Sequence, residues 1–132
     1  MLKIMRMLNK FKEVVKMMEI NMKELKGTPK QIKFADDIKK AVLEIIERLP
    51  EAIVKYSKNE EMVKKYMGRF EEVKKLFESY EDAGMFINDW KVIVYIENKA
   101  ERVGIIADKL EEKGISITWR IIGKLQEEYI TY

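Results

Sequence analysis

Apolar residues recur three and four positions apart along most of this chain, beginning with Ile4, Leu8, Phe11, Val15, Met18, Met22 and Leu25. That spacing lays one apolar stripe along a helix, and over three heptads it makes a seam able to pack against a second helix. Lys10, Lys12, Glu13, Lys16, Glu19 and Lys23 fall off the seam. The pattern predicts a long amphipathic N-terminal helix ending near Gly27, where glycine suits a helix C-terminus. Six of the nine methionines lie in the first 22 residues. Unbranched and polarizable, they suit either the chain's own core or an adaptable contact with another chain.

The helical spacing continues behind clear start signals. In Thr28-Pro29-Lys30-Gln31, Thr can cap the backbone N–H of Gln31, Gln31 can return the bond, and proline occupies a first-turn position whose N–H has no partner anyway. The next stripe is Ile32, Ala35, Ile38, Val42, Ile45 and Leu49, and Pro50 either kinks this helix or separates it from a short helical piece with Ala52, Ile53 and Tyr56. Asn59 caps a helix carrying Val63, Tyr66, Phe70, Val73, Phe77 and Tyr80, in which Gly68 offers a place for a neighbouring helix to come close. Asp82 caps another through Ala83, Phe86, Ile87 and Trp90.

Beyond Trp90 the pattern changes. Residues 92–96 are β-branched and aromatic, and read as a short buried strand or as the end of the preceding helix. Asn98 with Glu101 opens a helix through Val103, Ile106, Ala107 and Leu110 that stops at Gly114. Ile115, Ile117, Trp119 and Ile121 alternate with Ser116, Thr118 and Arg120, which is strand periodicity, and Gly123-Lys124 can turn the chain into a last strand at 129–132. The expectation is therefore an α+β fold, predominantly α-helical. One domain spans 1–132, with 1–90 mainly helical and a small β-containing part over 91–132.

Composition limits the chemistry. The 132 residues include no cysteine and no histidine. Disulfides, thiolate nucleophiles, cysteine or histidine metal sites and histidine general bases are all excluded. Carboxylate, lysine and tyrosine chemistry survives, as does carboxylate binding of a hard cation. The acidic neighbours Asp36-Asp37, Glu60-Glu61, Glu71-Glu72, Glu111-Glu112 and Glu127-Glu128 point about 100° apart on a helix, so each reads as a solvated face. The six glycines are too dispersed for a phosphate-cradling loop. No catalytic residue, cofactor or metal ligand is expected.

Lysine and arginine number 26 against 23 acids, for a net charge of +3. Residues 1–26 hold seven basic and three acidic residues, and residues 82–132 hold seven against nine. This balance is too even to read as a dedicated nucleic-acid protein and excludes a strongly acidic mimic of DNA. No apolar run is long enough for a signal peptide or a membrane span, so a cytoplasmic protein without membrane partners is expected.

The run from Gly27 to Lys39, GTPKQIKFADDIK, resembles a motif of the form G-T-x-K-Q-x-x-W-A-x-x-I-R found in small proteins of phages and other mobile elements of Gram-positive bacteria. A second motif of that group, A-x-x-W-I-D-x-R, is similar to Ala83-Gly84-Met85-Phe86-Ile87-Asn88-Asp89-Trp90. Phe34 and Phe86 replace tryptophans, Asn88 replaces the aspartate and Trp90 stands at the arginine. The resemblance implies a mobile-element protein acting in the host bacterial cytoplasm, some of which inhibit host defence.

Together these readings lead to the expectation of a non-enzymatic binding protein, a phage or mobile-element inhibitor of a defence system such as a CRISPR effector, that occupies a surface of its target. Nucleic acid is open as part of that target, and the heptad seam leaves a homodimer open. The alternative is a small nucleic-acid-binding or regulatory protein using the basic first helix through Lys3, Arg6, Lys10, Lys12 and Lys16. Partner contacts are expected at Lys3, Arg6 and Lys10 and at the motif residues Lys30, Lys33, Asp89 and Trp90.

Overall fold

The helix starts foreseen at Thr28, Asn59, Asp82 and Asn98 are each capped by that side chain, whereas the short helix at Pro50 has no side-chain cap. The computed structural model describes residues 19–130. Thr28 Oγ1 accepts from Gln31 N at 3.2 Å while Gln31 Oε1 accepts from Thr28 N at 3.0 Å, closing a capping box on α1, Pro29–Ile46. A short helix α2, Leu49–Tyr56, follows a break of two residues, with Pro50 in its first turn. Asn59 Oδ1 caps α3, Glu60–Ser79, at 2.9 Å from Met62 N, and Asp82 Oδ1 caps α4, Ala83–Trp90, at 3.2 Å from Met85 N. Asn98 Oδ1 caps α5, Lys99–Glu112, at 3.1 Å from Glu101 N. The last helix, α6, is Trp119–Glu128.

No strand occurs among the described residues, so the expected α+β class is corrected to a helical fold. Residues 92–95 lie in a 3₁₀ helix, Lys91–Tyr95, that continues α4 and buries its own Ile93, with Ile96 as its C-cap. The alternation at 115–121 ends in a helix rather than a strand. Gly114 takes φ +85°, Gly114 N donates to Glu111 O at 2.9 Å and Ile115 N to Leu110 O at 2.9 Å, a Schellman closure of α5. Thr118 then caps α6. Ile121, Ile122 and Leu125 are buried, with Ile117 and Tyr129 packed against the core beside them. The same residues satisfy a period of two over 115–121 and a period of 3.6 over 117–129. Burying Ile122 and Leu125 together favours the helix. The expected last strand over 129–132 is likewise not formed at Tyr129, which is the C-cap of α6, and residues 131–132 lie outside the described residues.

The N-terminal prediction is also corrected where it can be seen. Residues 19–27 are not helical. Lys26 N donates to Glu81 O and Lys26 O accepts from Ala83 N, both at 2.8 Å, forming an isolated parallel bridge between Lys26 and Asp82. Asn21 N donates to Glu78 Oε2 at 2.8 Å. Held at Lys26 by the α3–α4 junction and at Asn21 by Glu78, this stretch buries Ile20 and Leu25. The heptad seam over residues 1–18 lies outside the described residues.

One hydrophobic cluster runs from Ile20 to Leu125 through every helix. Helix α1 packs on α4 and on the 3₁₀ helix, α2 packs on α3 and α6, and α5 packs on α6. Gly104 of α5, itself buried, faces Gln126, whose Nε2 would lie 2.9 Å from a Cβ built there. This is the close helix approach that Gly68 was expected to serve; Gly68 has open space around it. No described helix is long and apolar enough to cross a membrane.

Candidate binding surface

Trp119 is the first residue of α6 and keeps 55% of its surface exposed, whereas Trp90 is fully buried. Met85, Val92, Tyr95 and Ile130 are exposed as well, but Trp119 stands where two grooves meet. The position follows from the local fold: Ile121, Ile122 and Leu125 take the inward face of α6. Trp119 falls on the outward side.

Two open grooves meet at this residue. The first, about 460 Å³, lies between the end of α2 and α6 and is lined by Lys55, Tyr56, Ser57, Arg120, Gly123, Lys124 and Glu127 as well as Trp119. The second, about 360 Å³, lies between α3 and the 115–118 segment and is lined by Lys65, Tyr66, Arg69, Glu111, Ser116, Ile117 and Thr118, again with Trp119. The indole is thus a ridge shared by both. Each groove carries a cation pair one helical turn apart, Arg120 with Lys124 and Lys65 with Arg69.

The first groove is braced. Arg120 Nε donates to Tyr56 O at 3.2 Å, the Tyr56 hydroxyl donates to Glu128 Oε2 at 3.0 Å, and Arg48 Nη2 donates to Glu128 Oε1 at 2.8 Å. Both ends of Tyr56 are therefore tied to α6. The Lys55 ammonium sits 5.3 Å from the Tyr56 ring centre, and Lys65 sits 5.5 Å from that of Tyr66. The Tyr56 phenol, then Glu128 and Glu51, raise the Lys55 pKa above the usual lysine value. Ser57 Oγ is buried without a hydrogen-bond partner among the described residues. Acids temper the charge: Glu127 reaches Lys124 at 3.3 Å and Glu72 reaches Arg69 at 3.7 Å, each pair largely solvent-exposed.

The residues expected at a partner contact do not gather here. Lys3, Arg6 and Lys10 lie outside the described residues, as do Lys12 and Lys16. Lys30 and Lys33 are exposed on the first turns of α1. Asp89 is half-buried and accepts from the Tyr80 hydroxyl and from Lys113 Nζ at 3.1 Å. Burial acts to raise the Asp89 pKa, but the Tyr80 O–H together with Lys113 and Lys109 outweighs it and holds the carboxyl below its usual value. Trp90 is part of the core and presents no surface to a partner, which removes it from the contact residues.

The two motif stretches instead meet each other. A Cβ at Gly27 would lie 3.0 Å from Ala83 Cβ, and one at Gly84 would lie 3.7 Å from Gln31 Nε2. Ala35 and Ile38 from the first stretch and Ala83, Phe86 and Trp90 from the second are all buried. Trp119 escaped the sequence reading because its neighbours alternate as in a strand. The available signal was the basic pair spacing, 65 with 69 and 120 with 124. Among the described residues no cluster of three or more acidic side chains is placed to hold a metal ion. No family model, curated protein or solved structure matches the chain.

Proposed function

We propose that the protein is a non-enzymatic binding protein that acts by occupying a surface of its target, with the Trp119 ridge and its two grooves as the contact. The observation that carries this reading is a half-exposed indole between two open grooves, one of them braced by the Arg120, Tyr56 and Glu128 bonds. Tryptophan, tyrosine and arginine are the residue types enriched among those that dominate binding energy at interfaces. The finer reading, a mobile-element inhibitor of a bacterial defence system such as a CRISPR effector, rests on the paired motifs. Their meeting in one packed joint supports treating them as a single unit.

Plasmid survival tests both levels in a bacterial strain whose CRISPR effector destroys a targeted plasmid. Expression of the protein should raise survival, and Trp119→Ala should abolish the rise. If no effector type of the host is inhibited, the defence reading is lost. If Trp119→Ala inhibits as well as the parent, the contact surface lies elsewhere.

A further inference from the structure

We infer that the ligand of the Trp119 surface is a single-stranded nucleic acid, with a base stacked on the exposed indole and the flanking phosphates held by the two cation pairs. The inference rests on Trp119 being the contact surface and adds the chemistry of what it contacts.

Charge complementarity selects the class. Lys65 with Arg69 and Arg120 with Lys124 each present two cations about 6 Å apart along a helix, a spacing that successive backbone phosphates can follow. Lys55 adds a further ammonium in the first groove. Between the pairs stands a π surface, 55% exposed, that belongs to both grooves. A single strand offers alternating phosphates and unpaired base faces, which is the pattern this surface complements. A duplex hides its base faces. An acidic peptide offers the charge and leaves the indole without a planar partner. Glu127 and Glu72 sit on Lys124 and Arg69 through exposed, labile ion pairs that an incoming phosphate would displace. Glu111 also lines the second groove, and the Arg120 bond to Tyr56 O engages Nε and leaves its two Nη groups for phosphate.

The test uses the full chain and a fluorescein-labelled oligothymidylate of about a dozen nucleotides, a length within the range covered by small single-strand binding modules. Anisotropy should show binding at low salt, with quenching of the exposed indole. Trp119→Ala should weaken it about 5- to 150-fold, the range expected for one stacked base. Arg120→Ala/Lys124→Ala and Lys65→Ala/Arg69→Ala should each flatten the slope of log affinity against log salt by roughly 1.4, two single-strand phosphate contacts. Glu127→Gln should tighten binding by freeing Lys124.

Circular dichroism should show each variant folded, and a Lys124→Ala single variant, which keeps the Arg120 bond to Tyr56 O, should flatten the slope by about half as much as the pair. Absence of oligothymidylate binding at low salt, or equal affinity of Trp119→Ala, overturns the inference. So does equal binding of a blunt duplex of the same length, or equal competition by an oligoglutamate peptide. The plasmid assay separates the two levels: Trp119-dependent inhibition without oligothymidylate binding removes the ligand class and keeps the surface, whereas loss of Trp119 dependence in both removes the surface.

Discussion

The Trp90 indole N–H donates to the Tyr80 hydroxyl at 3.0 Å, and that hydroxyl donates onward to Asp89 Oδ2. The relay joins the end of α3 to the end of α4 beneath a ring cluster in which Phe77 lies 5.0 Å from Trp90 and Tyr80 lies 5.2 Å from Phe86. It explains how a tryptophan is accommodated at the position where the resembling motif has arginine: the indole supplies one donor to a core acceptor and fills the space with apolar surface. Burial and the adjoining carboxylate raise the Tyr80 pKa far above the usual tyrosine value, so the phenol keeps its proton.

Tyr80→Phe leaves the Trp90 N–H buried without an acceptor and takes a donor from Asp89. The expected cost is about 1–3 kcal/mol, read as a lower urea midpoint with an unchanged slope. Because the ring is retained, a loss in that range reports the hydroxyl and not a cavity.

Asp89 sets an acid limb. Its folded pKa lies below that of the unfolded chain, near 3.9 for an ordinary aspartate, so it contributes stability above about pH 4, and that contribution is lost as pH falls through the depressed folded value. Asp89→Asn should be less stable than the parent at pH 6 by about 1 kcal/mol, with the gap narrowing below pH of about 4. Thermal melts at a series of pH values measure it, and a constant gap contradicts the assignment.

Two glycines should respond oppositely to alanine. At Gly27 a Cβ would lie 2.8 Å from Gln31 Oε1, which is committed to the capping box, and 3.0 Å from Ala83 Cβ. Gly27→Ala should cost about 1–3 kcal/mol through overpacking. Gly68→Ala, within α3 and in open space, should gain roughly 0.5–1 kcal/mol from helix propensity. Paired urea melts decide both.

Thr28→Ala should cost about 1 kcal/mol, the usual value of an N-cap. Because Thr28 and Gln31 exchange bonds, Gln31→Ala should remove part of the same interaction. The double variant should therefore lose less than the sum of the singles, by about 0.5 kcal/mol or more. Additive losses would mean the box does not act as a unit.

Where the capped helices begin inside 28–98, and the inward stripe of α3, were legible in the residues alone. Thr28, Asn59, Asp82 and Asn98 cap through bonds to residues three positions away, and Phe70, Val73 and Phe77 share a face through the helical period alone. Such interactions are short in sequence and need no partner element. Tertiary structure decided everything that depends on competition. Met22 and Leu25 keep the heptad spacing, yet residues 19–27 are not helical, and Glu81 and Ala83 bond the backbone of Lys26. Residues 115–121 alternate like a strand, yet α6 forms because the core accepts Ile122 and Leu125 along with Ile121. The same choice turned Trp119 outward between two basic pairs that are separated by fifty residues of chain, and a surface assembled across that distance is visible only once the helices have packed.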